Sequence, residues 1–353
     1  MLRLVIQSRI PCRLSPRLPL CRHASTQRLS ARKDWKLPVV GGVFIGLASL
    51  YFFLPDPSRS APTSANKPLS ASHFTPATVI SNEISGPNSK ILKLRVPPHL
   101  VIRDENDPIG FGPIWSVFIK DDDIQVERPY TPLESIDENG NMVFWIKRYP
   151  KGEVGRWLHS KQVGDTVELR GPLKTWPWDE DKWDEIVLIS GGTGITPFYQ
   201  LLRQVFDHST SIPQSPSFTL IHSSRTPEEM PPEQILGPLA AYAEKYPNKF
   251  RLKLLVDTDD GSQPTTSLPL EVGRVNEQHI KNSLGFSEPT RWQKLFGRKD
   301  TCPPIPAKTL FLVCGPDQMV AAVSGPYGRN LSQGPTLGVL GRLGATSKQV
   351  WKL

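Results

Sequence analysis

Glu185-Ile186-Val187-Leu188-Ile189-Ser190-Gly191-Gly192-Thr193-Gly194-Ile195-Thr196-Pro197 joins a continuous apolar run to a glycine turn and then to a helix start. Residues 185–190 carry apolar side chains on both sides of the pleat, as a strand covered on both faces of a parallel sheet does. Beyond Pro197, the residues Phe198, Leu201, Leu202, Val205 and Phe206 recur at i, i+3, i+4, i+7 and i+8, the spacing of an amphipathic helix. Proline is favoured in the first helical turn, where its missing N–H costs nothing. Glycines without side chains let the backbone approach a pyrophosphate, and the helix N-terminus turns a partial positive charge toward it. The stretch therefore reads as a phosphate cradle in which Gly191, Gly192, Thr193, Gly194, Thr196 and Pro197 are the contacts.

Downstream, the same alternation of strand and helix continues. FTLIHSS ends in Ser223-Ser224-Arg225-Thr226, a helix is expected within residues 232–246 and broken or kinked at Gly237-Pro238, and FRLKLLVD and TLFLVC follow. This predicts an α/β doubly wound domain over residues 181–353, with ligands at the carboxyl ends of its strands. The last of these strands runs into Cys314-Gly315-Pro316-Asp317-Gln318-Met319, which places Cys314 at that edge. A nucleotide sheet commonly offers an acid after its second strand to take ribose hydroxyls. Here Ser224 and Arg225 stand in that place and suit a 2′-phosphate, so both NADH and NADPH stay open.

Upstream, over residues 73–180, the pattern changes to short alternating runs: ILKLRV, IWSVFI, IQVERPY, MVFWIK and TVELR, punctuated by Asp121-Asp122-Asp123, Asn139-Gly140 and Gly164-Asp165. Short strands at such spacing predict an antiparallel β-barrel or sandwich. Within it stand Arg128-Pro129-Tyr130-Thr131, then Ile146-Lys147-Arg148-Tyr149-Pro150-Lys151-Gly152, then Glu153-Val154-Gly155. Arg128 can fork onto a phosphate, Tyr130 presents a π-face, and Thr131 carries a hydroxyl for a ring edge.

These groups, followed by GGTGITP and Cys-Gly-Pro in that order, resemble the cytochrome b5 reductase branch of the ferredoxin-NADP reductase superfamily. The resemblance covers about residues 73 to 320. It implies an FAD-binding barrel ahead of an NAD(P)-binding domain, and an oxidoreductase in which nicotinamide reduces the flavin. It implies that Arg128, Pro129, Tyr130, Thr131, Ile146, Lys147, Tyr149, Gly152, Val154 and Gly155 contact FAD. Cys314, Gly315, Pro316 and Met319 would hold the nicotinamide, with Thr131 and Cys314 nearest the chemistry. Gly155 stands where the family carries a hydroxyl, and Glu153 adds a negative charge beside the expected pyrophosphate. Further departures are a helix expected to begin Leu173-Lys174-Thr175-Trp176-Pro177-Trp178, an insertion from Ser283 to Lys308, and a long tail from Ser324 to Leu353. Basic residues in the insertion (Arg291, Lys294, Arg298, Lys299) read as a solvated loop or, alternatively, a docking face.

The 42 Lys and Arg exceed the 34 Asp and Glu by eight. Nine of the basic residues (Arg3, Arg9, Arg13, Arg17, Arg22, Arg28, Arg32, Lys33 and Lys36) precede residue 37, against a single acid, Asp34. The remainder is neutral, which gives no support to a nucleic-acid-binding body. Four cysteines, scattered at 12, 21, 302 and 314, support neither a disulfide framework nor a zinc cage. Residues 1–36 read as a mitochondrial targeting segment. Residues 37–54 (LPVVGGVFIGLASLYFFL) are uncharged and as a helix would span about 27 Å, enough for one transmembrane helix. Basic residues precede this span, so at the mitochondrial inner membrane the soluble domains would face the intermembrane space. Residues 55–72, rich in Pro and Ser, read as a tether. The presequence, single span and long tail together resemble fungal mitochondrial inner-membrane flavoproteins that assist haem attachment to cytochrome c, which implies a haem or haem protein as electron acceptor. Two other readings stay open: an ordinary cytochrome b5 reductase, and a membrane-tethered assembly scaffold whose flavin domain is structural.

Overall fold

The computed structural model describes residues 61–101, 112–121, 125–176, 182–208, 216–286 and 304–353. The expected targeting segment and membrane span lie outside these residues, as do the four basic residues of the insertion. Among the described residues no helix is long and apolar enough to cross a membrane.

The first lobe is a six-stranded antiparallel sheet built from β1 (Thr75–Gly86), β2 (Ser89–Arg95), β3 (Ile114–Lys120), β4 (Glu127–Tyr130), β5 (Asn141–Lys147) and β6 (Thr166–Trp176), in the order β4-β3-β6-β1-β2-β5. Every second residue turns inward: Leu92 and Leu94 from β2, Val117 and Ile119 from β3, Met142, Phe144 and Ile146 from β5, Val167 and Leu169 from β6. That period of two lets all these strands surround one core. The end strands β4 and β5 do not pair with each other, so the barrel is open. Its mouth is covered by helix α1 (Glu153–Ser160), whose Val154 and Leu158 are buried in the same core.

The second lobe is a six-stranded parallel sheet: β7 (Glu185–Gly191), β8 (Ser217–Ser224), β9 (Phe250–Val256), β10 (Leu270–Val272), β11 (Thr309–Cys314) and β12 (Val350–Lys352), in the order β10-β9-β8-β7-β11-β12. Alternate residues again face opposite ways, but here both faces are apolar. Ile186, Leu188, Phe218 and Leu220 pack with helices α2 (Thr196–Arg203) and α3 (Glu233–Lys245). Val187, Ile189, Ile221, Phe311 and Val313 pack with α4 (Glu277–Ser283), α5 (Asp317–Ser324) and α6 (Gly338–Arg342). The sheet is doubly wound, as its apolar strands require.

Several expectations are corrected. No helix begins at Leu173: β6 runs on through Trp176, held by pairing of Ser116, Trp115 and Ile114 with Leu173, Lys174 and Trp176. Helix α3 is not broken at Pro238. The Gln234 carbonyl that loses its donor to the proline ring accepts instead from the Tyr199 hydroxyl at 3.3 Å. Residues 61–72, expected as free tether, lie on the barrel: Leu69 is 6% exposed within its core, and the Leu69 N–H donates to Leu100 at 2.7 Å.

Candidate functional site

The lobes share a core in which Ile114, Leu133, Trp145 and Trp176 of the first meet Phe198, Tyr199, Leu201 and Leu202 of the second. Buried Gln200 fixes the junction, accepting from the Trp115 backbone N–H at 2.8 Å and donating to the Pro132 carbonyl at 3.1 Å. The carboxyl ends of the parallel strands are thereby aimed at the barrel mouth. Between them lies a cleft of about 610 Å³, inside the range of small-molecule sites.

From the barrel, the cleft is lined by Arg128, Pro129, Tyr130 and Thr131 at the end of β4, by Ile146 and Lys147 at the end of β5 with Tyr149 just beyond it, and by Gly152, Val154 and Gly155 at the start of α1. From the sheet it is lined by Gly191, Thr193, Gly194, Thr196, Pro197, Cys314, Gly315 and Pro316. Two motif groups about sixty residues apart, and a third over a hundred further on, thus converge on one space. Burial holds the Tyr130 and Tyr149 phenols and the Cys314 thiol in their neutral forms, the thiol pushed up to about 12. The chain therefore places neither thiolate nor phenolate in the cleft at neutral pH.

The lining fits a flavin dinucleotide. Helix α1 opens on Gly152 with no side-chain cap, so its first N–H groups are open to an anion. At Gly155 a Cβ would come 3.1 Å from the Lys147 carbonyl, so a hydroxyl residue there would need that backbone to give by a few tenths of an ångström. The indole N–H of Trp145, another cleft residue, is buried without an acceptor among the described residues. Arg128 is exposed, and among the described residues its guanidinium donates only to its neighbour's carbonyl, Glu127 O, at 2.9 Å.

A second cavity of about 410 Å³ continues past Tyr149, Lys147, Gly191 and Pro316 to the ends of β8, β9 and β10. Gly192, Arg225 and Met319 line this part, as does Ser224. The Ser224 hydroxyl is already engaged, donating to the Glu229 carbonyl at 3.1 Å beside His222. Lys147 is likewise committed: its ammonium pairs with Glu229 of the second lobe at 2.6 Å, both side chains being largely buried. The glycines of the cradle are dictated by packing. A Cβ on Gly191 would meet the Met319 sulfur at 2.4 Å, and one on Gly194 would meet the Cys314 carbonyl oxygen at 2.3 Å. The glycine turn and the Cys-Gly-Pro turn are thus pressed into one backbone surface.

One functional residue escaped the sequence reading. The acid expected after the second strand is supplied from the third: Asp257, following β9, lies in the second cavity and accepts from Ser223 at 3.4 Å. It sits in a run with Asp259 and Asp260 that reads as a surface turn. The signal was its position straight after FRLKLLV, at the carboxyl edge.

Fold and clefts together define a two-lobed oxidoreductase with one domain for FAD and one for a nicotinamide nucleotide. Residues 76–178 match the oxidoreductase FAD-binding domain profile and residues 188–325 the oxidoreductase NAD-binding domain profile. The chain is 31% identical over 260 residues to NADH-cytochrome b5 reductase 2 of Candida albicans, covering 72% of this chain and 77% of that one. It is 27% identical over 328 residues to the protein of the same name from Scheffersomyces stipitis, covering 93% and 98%. In fold it is similar to the cytochrome b5 reductase domain of Ulva prolifera nitrate reductase, with a TM-score of 0.56 at 18% identity, over 83% of this chain and all of that one. The chain belongs to the cytochrome b5 reductase family of the ferredoxin-NADP reductase superfamily.

Proposed function

We propose that this protein is a membrane-anchored reductase that takes electrons from a nicotinamide nucleotide and delivers them to a haem or haem protein. The observation that carries the reading is the single cleft in which the Arg128–Thr131 segment of one lobe faces Cys314-Gly315-Pro316 of the other. Bound there, FAD would supply the conversion between two-electron and one-electron transfer. The chain's own residues do the rest. Arg128 and the uncapped start of α1 hold phosphate, and Tyr130 and Thr131 fix the ring. Cys314, kept as the neutral thiol by burial, shapes the surface against which the nicotinamide is held. Asp257 is placed to accept from ribose hydroxyls, which supports NADH as a donor, in keeping with the names of the relatives.

The acceptor is proposed to be haem in the attachment of haem to cytochrome c. The basic segment before residue 37 and the apolar run 37–54 support an inner mitochondrial membrane location with the lobes facing the intermembrane space. The relatives' names favour cytochrome b5 as the second reading. Anaerobic reduction of the bound flavin, followed by mixing with haemin, cytochrome b5 or ferric cytochrome c, separates them. Fastest reoxidation by haemin supports the first and by cytochrome b5 the second. A flavin that no nicotinamide nucleotide bleaches would leave only an assembly scaffold.

A further inference from the structure

Helix α1, which closes the barrel mouth, turns one side outward. Glu153, Arg156 and Ser160 are exposed and Trp157 is half-buried, the i, i+3, i+7 and i+4 positions of a single helical face. The Lys161 ammonium lies 4.1 Å from the centre of the Trp157 ring, so the indole meets solvent beneath a cation. Two residues further on, in the turn that leads into β6, Val163 is 71% exposed. Ahead of the helix, Arg148 and Lys151 are exposed as well. From Arg148 to Lys161 the chain holds four basic residues against the single acid Glu153, although residues 37–353 as a whole are neutral. Arg148, Lys151 and Arg156 enter no salt bridge among the described residues. Their field is felt within the lobe: burial lowers the pKa of His159, and Lys90 and Arg148 lower it further. The docked N-terminal segment meets the barrel at the same end. There the Thr63 hydroxyl donates to Glu168, five residues after Val163, at 2.6 Å. Residues 55–60 alone separate that segment from the apolar run 37–54, a reach of about 20 Å at full extension.

We propose that this face of the flavin lobe, made by Arg148, Lys151, Arg156, Trp157, Lys161 and Val163, rests on an anionic lipid surface. Charge brings the two together, because four basic groups face the phosphates of the bilayer. The apolar groups select lipid over an acidic protein. An indole beneath an ammonium suits the headgroup layer, where the ring enters the interface while the cation stays among phosphates. Val163 is an apolar tip beside it that charge pairing alone leaves in water. The inference rests on the membrane-anchored reading and deepens it: the span supplies attachment, and this face supplies orientation. Lys151, Gly152 and Glu153 also line the flavin cleft, so the contact holds that cleft beside the bilayer.

The test reconstitutes the full-length flavin-loaded protein in vesicles of phosphatidylcholine with about 30% phosphatidylglycerol. Val163→p-benzoylphenylalanine places a photocrosslinker in the turn, and Val272→p-benzoylphenylalanine places one on β10 of the other lobe, where the native side chain is 65% exposed. Lipid adducts counted by mass spectrometry are expected at position 163 in about five-fold or greater excess over position 272. Omitting phosphatidylglycerol, or adding Arg156→Glu, is expected to cut the adducts at 163 by about five-fold, the share of one basic residue at an anionic surface. Equal yields at the two positions, or a yield at 163 indifferent to both lipid charge and Arg156, overturns the inference and leaves the anchor intact. In the membranes of the expressing cell, crosslinking of position 163 to a protein in place of lipid also overturns it. Release of the wild type by alkaline carbonate overturns the anchor, and this inference falls with it.

Discussion

A methyl group at Gly194 would have to occupy space 2.3 Å from the Cys314 carbonyl oxygen. Backbone, unlike a long side chain, cannot swing aside, so Gly194→Ala must push the two turns apart. The expected cost is about 1–3 kcal/mol, read from the urea midpoint. Flavin content should be unchanged, because the flavin is assigned to the other lobe, whereas flavin reduction by NADH should slow by about ten-fold or more as Cys314 is displaced. Equal reduction rates would show that the packing of the turns is not transmitted to the nicotinamide. His222 makes a second prediction of this size. It is fully buried, with Nδ1 at 2.8 Å from the Ser190 hydroxyl and Nε2 at 3.2 Å from that of Ser224. Burial, reinforced by nearby Lys147, lowers its pKa to about 3. Between that value and about 6.5 the unfolded chain binds a proton that the folded chain refuses, so stability is complete above about 6.5 and falls with acid. Stability of the wild type should therefore decline more steeply below pH 6.5 than that of His222→Gln, by up to about 1.4 kcal/mol per pH unit. Parallel pH curves of melting temperature for the two proteins would refute the assignment.

Helix α3 shows what an element tolerates when a neighbour compensates. Gly237-Pro238 reads as an interruption because proline removes a helical N–H and crowds the carbonyl four residues back. That carbonyl belongs to Gln234, and Tyr199 of α2 donates to it. Tyr199→Phe is expected to destabilise by about 1–2 kcal/mol, the cost of a buried acceptor left unpaired. In a Pro238→Ala background, where the substitution restores the helical donor, most of that cost should vanish; a loss of the same size in both backgrounds would show that the hydroxyl matters only to Arg203, its other partner. Other elements were legible or hidden for equally local reasons. Strands β7 and β11 are nearly continuous apolar runs, and β8 and β9 carry apolar stretches long enough that all four could be read directly, as could the helical spacing from Phe198 to Phe206. Strand β1 was not, because Ser81, Asn82, Glu83 and Ser85 interrupt its alternation where its second half is only half-buried or exposed. β10 and β12 are three residues each, too short to show any period. With β10 unread and Asp257 met only as the last residue of FRLKLLVD, the far end of the second cavity could not be assembled from the sequence.

At the scale of the whole molecule, the cleft was foreseeable because three motifs keep their order along the chain, whereas the forces that hold the lobes in register were not. Gln200, Lys147–Glu229 and the Arg203–Glu134 pair each join residues that no local pattern connects. The same holds for the approach to the first lobe. A stretch with as many prolines and serines as residues 55–72 carries too little apolar surface to form a core, but a single leucine can borrow one. Leu69 does so, and the backbone around it is fastened along the barrel. Gly171 N–H donates to Ser70 at 3.1 Å, Arg170 donates to the Ala71 carbonyl at 3.1 Å, and the Thr63 hydroxyl donates to Glu168 at 2.6 Å. Arg170 also grips Glu127 through two bonds of 2.7 and 2.9 Å, and Glu127 precedes the Arg128 assigned to the flavin phosphate. Docking of residues 61–72 is therefore coupled to the flavin side of the cleft rather than being a passive leash. Leu69→Ala in the full chain is expected to cost about 2–3 kcal/mol. It should also expose the segment to proteolysis near Ser70 and speed flavin release, while a substitution at exposed Lys67 should do none of these. Release of flavin at the wild-type rate from a Leu69→Ala protein whose segment is freely cleaved would separate the docked segment from the site and return it to the role of a simple tether.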